Sequence, residues 1–244
     1  MKTLKIMVPL LLILAAGCTN YGKKVTRDEN EVYYKSPVTE QEANQLADYL
    51  VDLGYFNDKP KSVQLLRDSA NNLVLNMIIA EDYREDESTK RTLVGIGAEI
   101  CRDVFECNNI TVNICDQRFN TVSSLPMHRI TMGQGDLFYT NDIKPDEAQA
   151  VKDHLFKLGA FTPKDDVTLY LEKQGDTYLF EMTSLEGAET NPEVLQKAQI
   201  LMRELSNNVL DGKPVDFYFL DVSMQIKGIL HYSDITVNDT IPSE

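Results

Sequence analysis

The sequence predicts an α+β fold built twice in tandem, and three observations predict it. Residues 34–56 lie over residues 139–161 at an offset of 105 without a gap, and eight of those 23 pairs are identical, among them Glu42 with Glu147, Leu50 with Leu155 and Gly54 with Gly159. Apolar spacing then switches between helical and strand periods in the same order in both copies. The composition, 244 residues of which 43% are hydrophobic and 25% charged, with 12 Gly and 9 Pro, describes a globular chain long enough for one large domain or two small ones. Collagen-like and mostly disordered readings are excluded.

Each copy opens on a short aromatic strand, Tyr33-Tyr34 or Phe138-Tyr139. A helix follows, because Ala43, Leu46, Leu50 and Leu53, and then Ala148, Val151, Leu155 and Leu158, fall on one face at helical spacing. Thr39 with Glu42 fits a capping box, Pro145 suits a first helical turn, and Gly54 and Gly159 stand where a left-handed residue ends the helix. Val63–Leu66 and Leu73–Ile79 read as a hairpin across polar Asp68–Asn72, and Val167–Leu171 with Thr177–Met182 repeat it around Gln174-Gly175-Asp176. The next helix carries Leu93, Ile96, Ile100 and Val104 on one stripe. Its partner, opened by Asn191-Pro192, carries Val194, Ala198, Leu201 and Leu205, and aligns at an offset of 101, so the loops around it differ in length. Ile110–Cys115 and Val215–Leu220 close the copies as strands.

Strand, helix, strand, strand, helix, strand is the ferredoxin-like order, βαββαβ, in which two helices cover one face of a four-stranded antiparallel sheet. The expected organisation is a signal segment over 1–17, a flexible tether over 18–31, repeat 1 over 32–122, a linker over 123–136, repeat 2 over 137–232 and a fraying tail over 233–244. Arg129-Ile130-Thr131-Met132 inside the linker reads alternatively as an edge strand.

The chain begins with Lys2 and Lys5, runs through apolar Ile6–Leu14 and reaches Ala15-Ala16-Gly17 directly before Cys18, an export signal too short for an ordinary membrane span. Leu14-Ala15-Ala16-Gly17-Cys18 resembles the lipobox of bacterial lipoproteins. The resemblance implies cleavage before Cys18, a diacylglyceryl thioether on its sulfur, and outer-membrane sorting, since Thr19 is not the aspartate associated with inner-membrane retention. A plain secretory signal or an uncleaved anchor is the alternative. Loss of residues 1–17 removes Lys2 and Lys5 and no acid, taking the formal charge from −14 to −16. Such an acidic body repels a phosphate backbone, so no nucleic acid is expected as a partner.

If Val112, Ile114, Phe217 and Phe219 point under the helices, alternation turns Asn113, Cys115, Tyr218 and Leu220 to the open sheet face, with Tyr170 among their neighbours. These five are the candidate ligand or partner residues; the alternative is that one copy's sheet packs on the other. Cys101, Cys107 and Cys115 show no C-x-x-C spacing, so no metal or other cofactor is expected; Met202 and Leu220 stand at the equivalents of Cys101 and Cys115, which makes packing their expected role, with closure of one pair in an oxidising envelope as the alternative and Cys107 as the candidate reactive thiol. His128, His154 and His231 sit in no nucleophile pattern, the acidic run Glu81–Glu87 lacks the spacing of a calcium loop, and no Gly-rich phosphate loop occurs. The sequence reading is therefore a non-enzymatic, lipid-anchored binding or scaffolding module of the cell envelope, held to the bilayer through acylated Cys18 and engaging an envelope protein. The body resembles duplicated ferredoxin-like domains of uncharacterised bacterial lipoproteins, which implies no substrate. The alternative is an enzyme or small-molecule sensor with a site between the copies, formed by groups such as Glu42, Glu147 or His154. Fold alone decides neither.

Overall fold

A computed structural model describes residues 21–235; the expected signal segment, Cys18 and the end of the expected tail lie outside the described residues. Lys23–Arg27 (β1) and Asn30–Tyr34 (β2) form a hairpin. Helix α1, Glu40–Asp52, starts at the expected capping box: Glu42 N–H donates to Thr39 Oγ1 at 3.2 Å, and Thr39 N–H donates to the Glu42 carboxylate at 2.7 Å. It buries Ala43, Leu46, Ala47 and Leu50 and stops at Gly54, whose φ of 73° costs an L side chain what glycine does not pay. Ser62–Arg67 (β3) and Leu73–Ile78 (β4) form the hairpin, and α2, Glu87–Glu99, capped by Asp86, runs on through Ile100–Val104 as a π-helical turn to Asn109–Cys115 (β5). Thr121–Met132 (β6) leads into Gly135–Tyr139 (β7), α3 at Pro145–Lys157, Thr168–Gln174 (β8), Thr177–Thr183 (β9), α4 at Pro192–Asn208, Val215–Leu220 (β10) and Ile226–Leu230 (β11).

The architecture is mixed α/β, a sheet of eleven strands in chain order with four α-helices among the described residues. Most neighbouring strands are antiparallel, but β2/β3, β4/β5, β7/β8 and β9/β10 are parallel. This corrects the expected connectivity. In the ferredoxin-like order a further strand separates the two that a helix links, whereas here each helix links adjacent parallel strands. The tight hairpins β1–β2 and β5–β6 occupy the outer edges of β2 and β5, so no strand inserts between helix-linked neighbours.

Two boundaries are also corrected. Residues 23–27 of the expected tether pair with β2 along their whole length, and the expected linker is mostly β6, whose first part pairs with β5 and whose last part, from His128, pairs with β7. The 105-residue offset extends through these strands. It carries β1 onto the end of β6, α1 onto α3, and the start of β6 onto β11. It carries the bulge at Ile114/Cys115 onto that at Phe219/Leu220. It also carries the turn in which Asp116 Oδ1 accepts from the N–H groups of Arg118 and Asn120 onto that in which Asp221 Oδ1 accepts from Ser223 and Gln225. Phe119 and Met224 hold the same left-handed position in these turns, at φ 58° and 64°.

Each half has its own core beneath its own helix pair. The halves meet asymmetrically. Phe138, Tyr170, Leu220 and Met224, all from the second half, belong to the first half's apolar cluster, because the helix-free side of the second half's sheet rests on α2. A Cβ added at Gly95 of α2 would lie 2.5 Å from Met224 Cγ, so glycine permits this approach. Ser88 Oγ donates to Gln225 Oε1 at 2.5 Å, Gln225 Nε2 to Thr92 Oγ1 at 3.1 Å and Arg102 Nη1 to Thr168 Oγ1 at 2.7 Å across the same contact.

Candidate functional site

Strand register sets one row of side chains across the helix-free face of each half. In the first half it runs Lys24, Tyr33, Gln64, Asn76, Asn113, Ser124. In the second it runs Arg129, Phe138, Tyr170, Glu181, Tyr218, Ile229. Equivalent positions thus carry amides in one copy and aromatic, acidic or aliphatic groups in the other.

The first row is a chain of hydrogen bonds. Ser124 Oγ donates to Asn113 Oδ1 at 2.7 Å, Asn113 Nδ2 to Asn76 Oδ1 at 2.8 Å, Asn76 Nδ2 to Gln64 Oε1 at 2.8 Å and Gln64 Nε2 to the Tyr21 carbonyl at 2.8 Å. Every partner in this chain comes from the first half, and such relays polarise their members in one direction. Beside it Tyr21, Tyr33 and Phe119 make an edge-to-face trio with centroids 5.1–5.8 Å apart. The Tyr33 hydroxyl donates to Glu31 at 2.7 Å, and that bond, followed by burial, raises its pKa to about 12. Lys24 holds the same carboxylate below its ordinary range. Gln64 and Asn76 are themselves buried, so what this face offers a partner is half-buried Asn113, exposed Ser124 and the half-buried rings of Tyr21, Tyr33 and Phe119.

The second row is buried against α2. Arg91 Nη1 donates to Glu181 Oε1 at 2.5 Å, and its guanidinium lies over the Tyr218 ring, 5.4 Å from the centroid. Glu181 is 1% exposed, and burial raises its pKa despite Arg91. Burial, then the Glu181 charge, pushes the neighbouring Glu172 carboxyl up to about 7. This ionisable cluster lies between the halves but under a helix, and the void that Glu172 lines holds only about 10 Å³; a separate cleft of about 270 Å³ on the same contact is lined by Glu99, Arg102, Asp166 and Tyr170.

The five candidate residues therefore divide. Asn113 is half-buried in the amide row. Cys115 is fully buried, and its thiol pKa is raised by desolvation. Tyr170 and Leu220 are buried against the first half, and Tyr218 is covered by Arg91; these three form the contact between the halves rather than an open face. The cover is a helix, not the other copy's sheet. Cys107 is bonded to Cys101, which corrects its reading as a free reactive thiol. Glu42 and Glu147 cap α1 and α3 and bind Arg67 and Tyr178 at 2.7 and 2.9 Å, and His154 meets Glu204 at 3.3 Å, so none of the three joins the inter-half cluster. His128 and His231 have separate partners, Asn109 with Asn141, and Asp216. Among the described residues no group of three or more His, Cys, Asp or Glu is arranged to hold a metal ion.

Sequence reasoning missed Gln64 with Asn76 as a hydrogen-bonded pair, the Tyr21–Phe119 contact, and Arg91 with Glu181. Thr26 over Thr131 and Val25 over Ile130, at the same 105 offset, were a signal for β1. One protein-family model, described as a family N-terminal domain, matches residues 24–126, a stretch from β1 into β6 that takes in the first half and both hairpin strands flanking it. No curated protein matches the chain.

Proposed function

We propose that this chain is a lipid-anchored, non-enzymatic binding module of the bacterial cell envelope, a tandem repeat of one βαββαβ unit in which the copies have taken different tasks. The second copy's sheet face serves as internal contact, and the first copy's serves as the partner surface. The observation that carries this reading is the divergence of the two equivalent rows, Gln64-Asn76-Asn113 against Tyr170-Glu181-Tyr218. Tyr21 lies on the amide row and is three residues from Cys18, so acylation at Cys18 in the outer membrane would hold this face close to the bilayer surface. The partner is an envelope protein presenting hydrogen-bonding and apolar groups together.

Mass spectrometry of the mature protein tests the anchor: the N-terminal peptide begins at diacylglyceryl Cys18, and an unmodified or uncleaved start rejects it. Pull-down of the acylated protein tests the surface. Asn113→Ala with Tyr33→Ala should lose a partner that the wild type retains, and equal recovery by both rejects the assignment.

A further inference from the structure

The second half carries a groove that the sheet-face reading does not use. It lies between the end of α3 and α4, holds about 500 Å³, and is walled by Phe161, Met182, Val194, Leu201 and Phe217, with Lys197 as its charged lining residue. The same place in the first half, between α1 and α2, holds about 260 Å³ and is walled on one side by Val222, Ser223 and Met224 from the second half. Two differences between the copies open the second groove. Ala160 stands where the first copy has Tyr55, whose ring packs on the first core, and no described turn of the chain sits where Val222–Met224 sit in the first half. The volume falls within the range of small-molecule sites, and the wall is apolar. Lys197 is exposed at α4 and makes no ion pair among the described residues.

We propose that this groove binds a single-tailed anionic amphiphile, its tail taking the space that Tyr55 fills in the first copy and its acid head meeting Lys197. The proposal stands apart from the sheet-face reading, since it uses the opposite side of the second half's sheet.

The test uses the mature chain and dansylated undecanoic acid as fluorescent probe, with dodecanoate and dodecanol as competitors. Saturable one-to-one binding is expected, with dodecanoate outcompeting dodecanol by about threefold, the worth of one solvent-exposed ion pair. Ala160→Tyr should weaken probe binding by about tenfold or more while raising the urea midpoint, because it refills the groove. Lys197→Gln, a surface change that leaves the fold intact, should remove the preference for dodecanoate and spare dodecanol. Absence of saturable binding, unchanged binding in Ala160→Tyr, or an unchanged preference in Lys197→Gln overturns the proposal. So does a dimer of the chain that Ala160→Tyr dissolves, which would assign the groove to a second copy.

Discussion

Replacing Glu172 by Gln should remove its share of the pH dependence of stability at the contact between the halves, the remainder belonging to Glu181, which burial also raises. Glu172 lies on the same face of β8 as Tyr170, with Glu181, Glu87 and Asp142 raising its pKa and Arg91 lowering it, and burial is the largest cause of its rise from 4.5 to about 7. A carboxyl whose pKa is raised on folding binds its proton better in the native state. Its contribution is therefore complete below the unfolded value, declines as pH rises from 4.5 towards 7, and is gone above 7. A shift of that size corresponds to about 3 kcal/mol at 1.36 kcal/mol per unit. Glutamine imitates the protonated form at every pH, so Glu172→Gln should match the wild type at about pH 4.5 and exceed it by about 3 kcal/mol at about pH 8. Urea unfolding of both proteins across that range measures the difference. A difference that stays constant with pH would refute the reasoning, because it would mean that the carboxyl meets water as freely in the folded state as in the unfolded.

Other expectations follow from the same contacts. Arg91→Met leaves Glu181 buried without its partner and should cost about 3–5 kcal/mol at neutral pH, less in acid where Glu181 takes a proton, read from urea midpoints. Gly95→Ala drives a methyl against Met224 and should cost about 1–3 kcal/mol; Met224→Ala in the same chain should return part of it, which a double-mutant cycle measures. Opening the Cys101–Cys107 bridge, by reductant or by Cys101→Ser with Cys107→Ser, should cost about 2 kcal/mol, the closure entropy of so short a loop. Asn76→Ala breaks the amide row in its middle and should cost about 1–3 kcal/mol while leaving the contact between the halves intact, as judged by unchanged protection of Tyr170.

The helices were legible because their signals are local. Thr39 with Glu42, Pro145, Asn191 before Pro192, and Gly54 with Gly159 each act within one turn, and the apolar stripes repeat in both copies. Strand neighbours were not, because strand, helix, strand reads the same whether the two strands pair or stand apart; pairing is decided by long-range register. β1 and β11 escaped notice because edge strands such as Lys23–Arg27 are charged and half-exposed and carry little apolar alternation. At the candidate site, alternation set Asn113 and Tyr218 opposite Val112, Ile114, Phe217 and Phe219, as the strand register does, but Tyr218 does not lie open there. Alternation gave no hint that α2 would cover one copy's face and leave the other's, since Arg91 and Glu181 are 90 positions apart. The groove was visible only in hindsight, as Ala160 over Tyr55.

Site-specific photo-crosslinking in intact envelopes tests the central claim most directly, with a benzophenone side chain placed at Tyr33, at Tyr170 or on α4 at Gln196. The account predicts one intermolecular adduct from position 33, only intrachain adducts to α2 from position 170, and no protein adduct from position 196. An intermolecular adduct from position 170 or 196 with none from position 33 would contradict it.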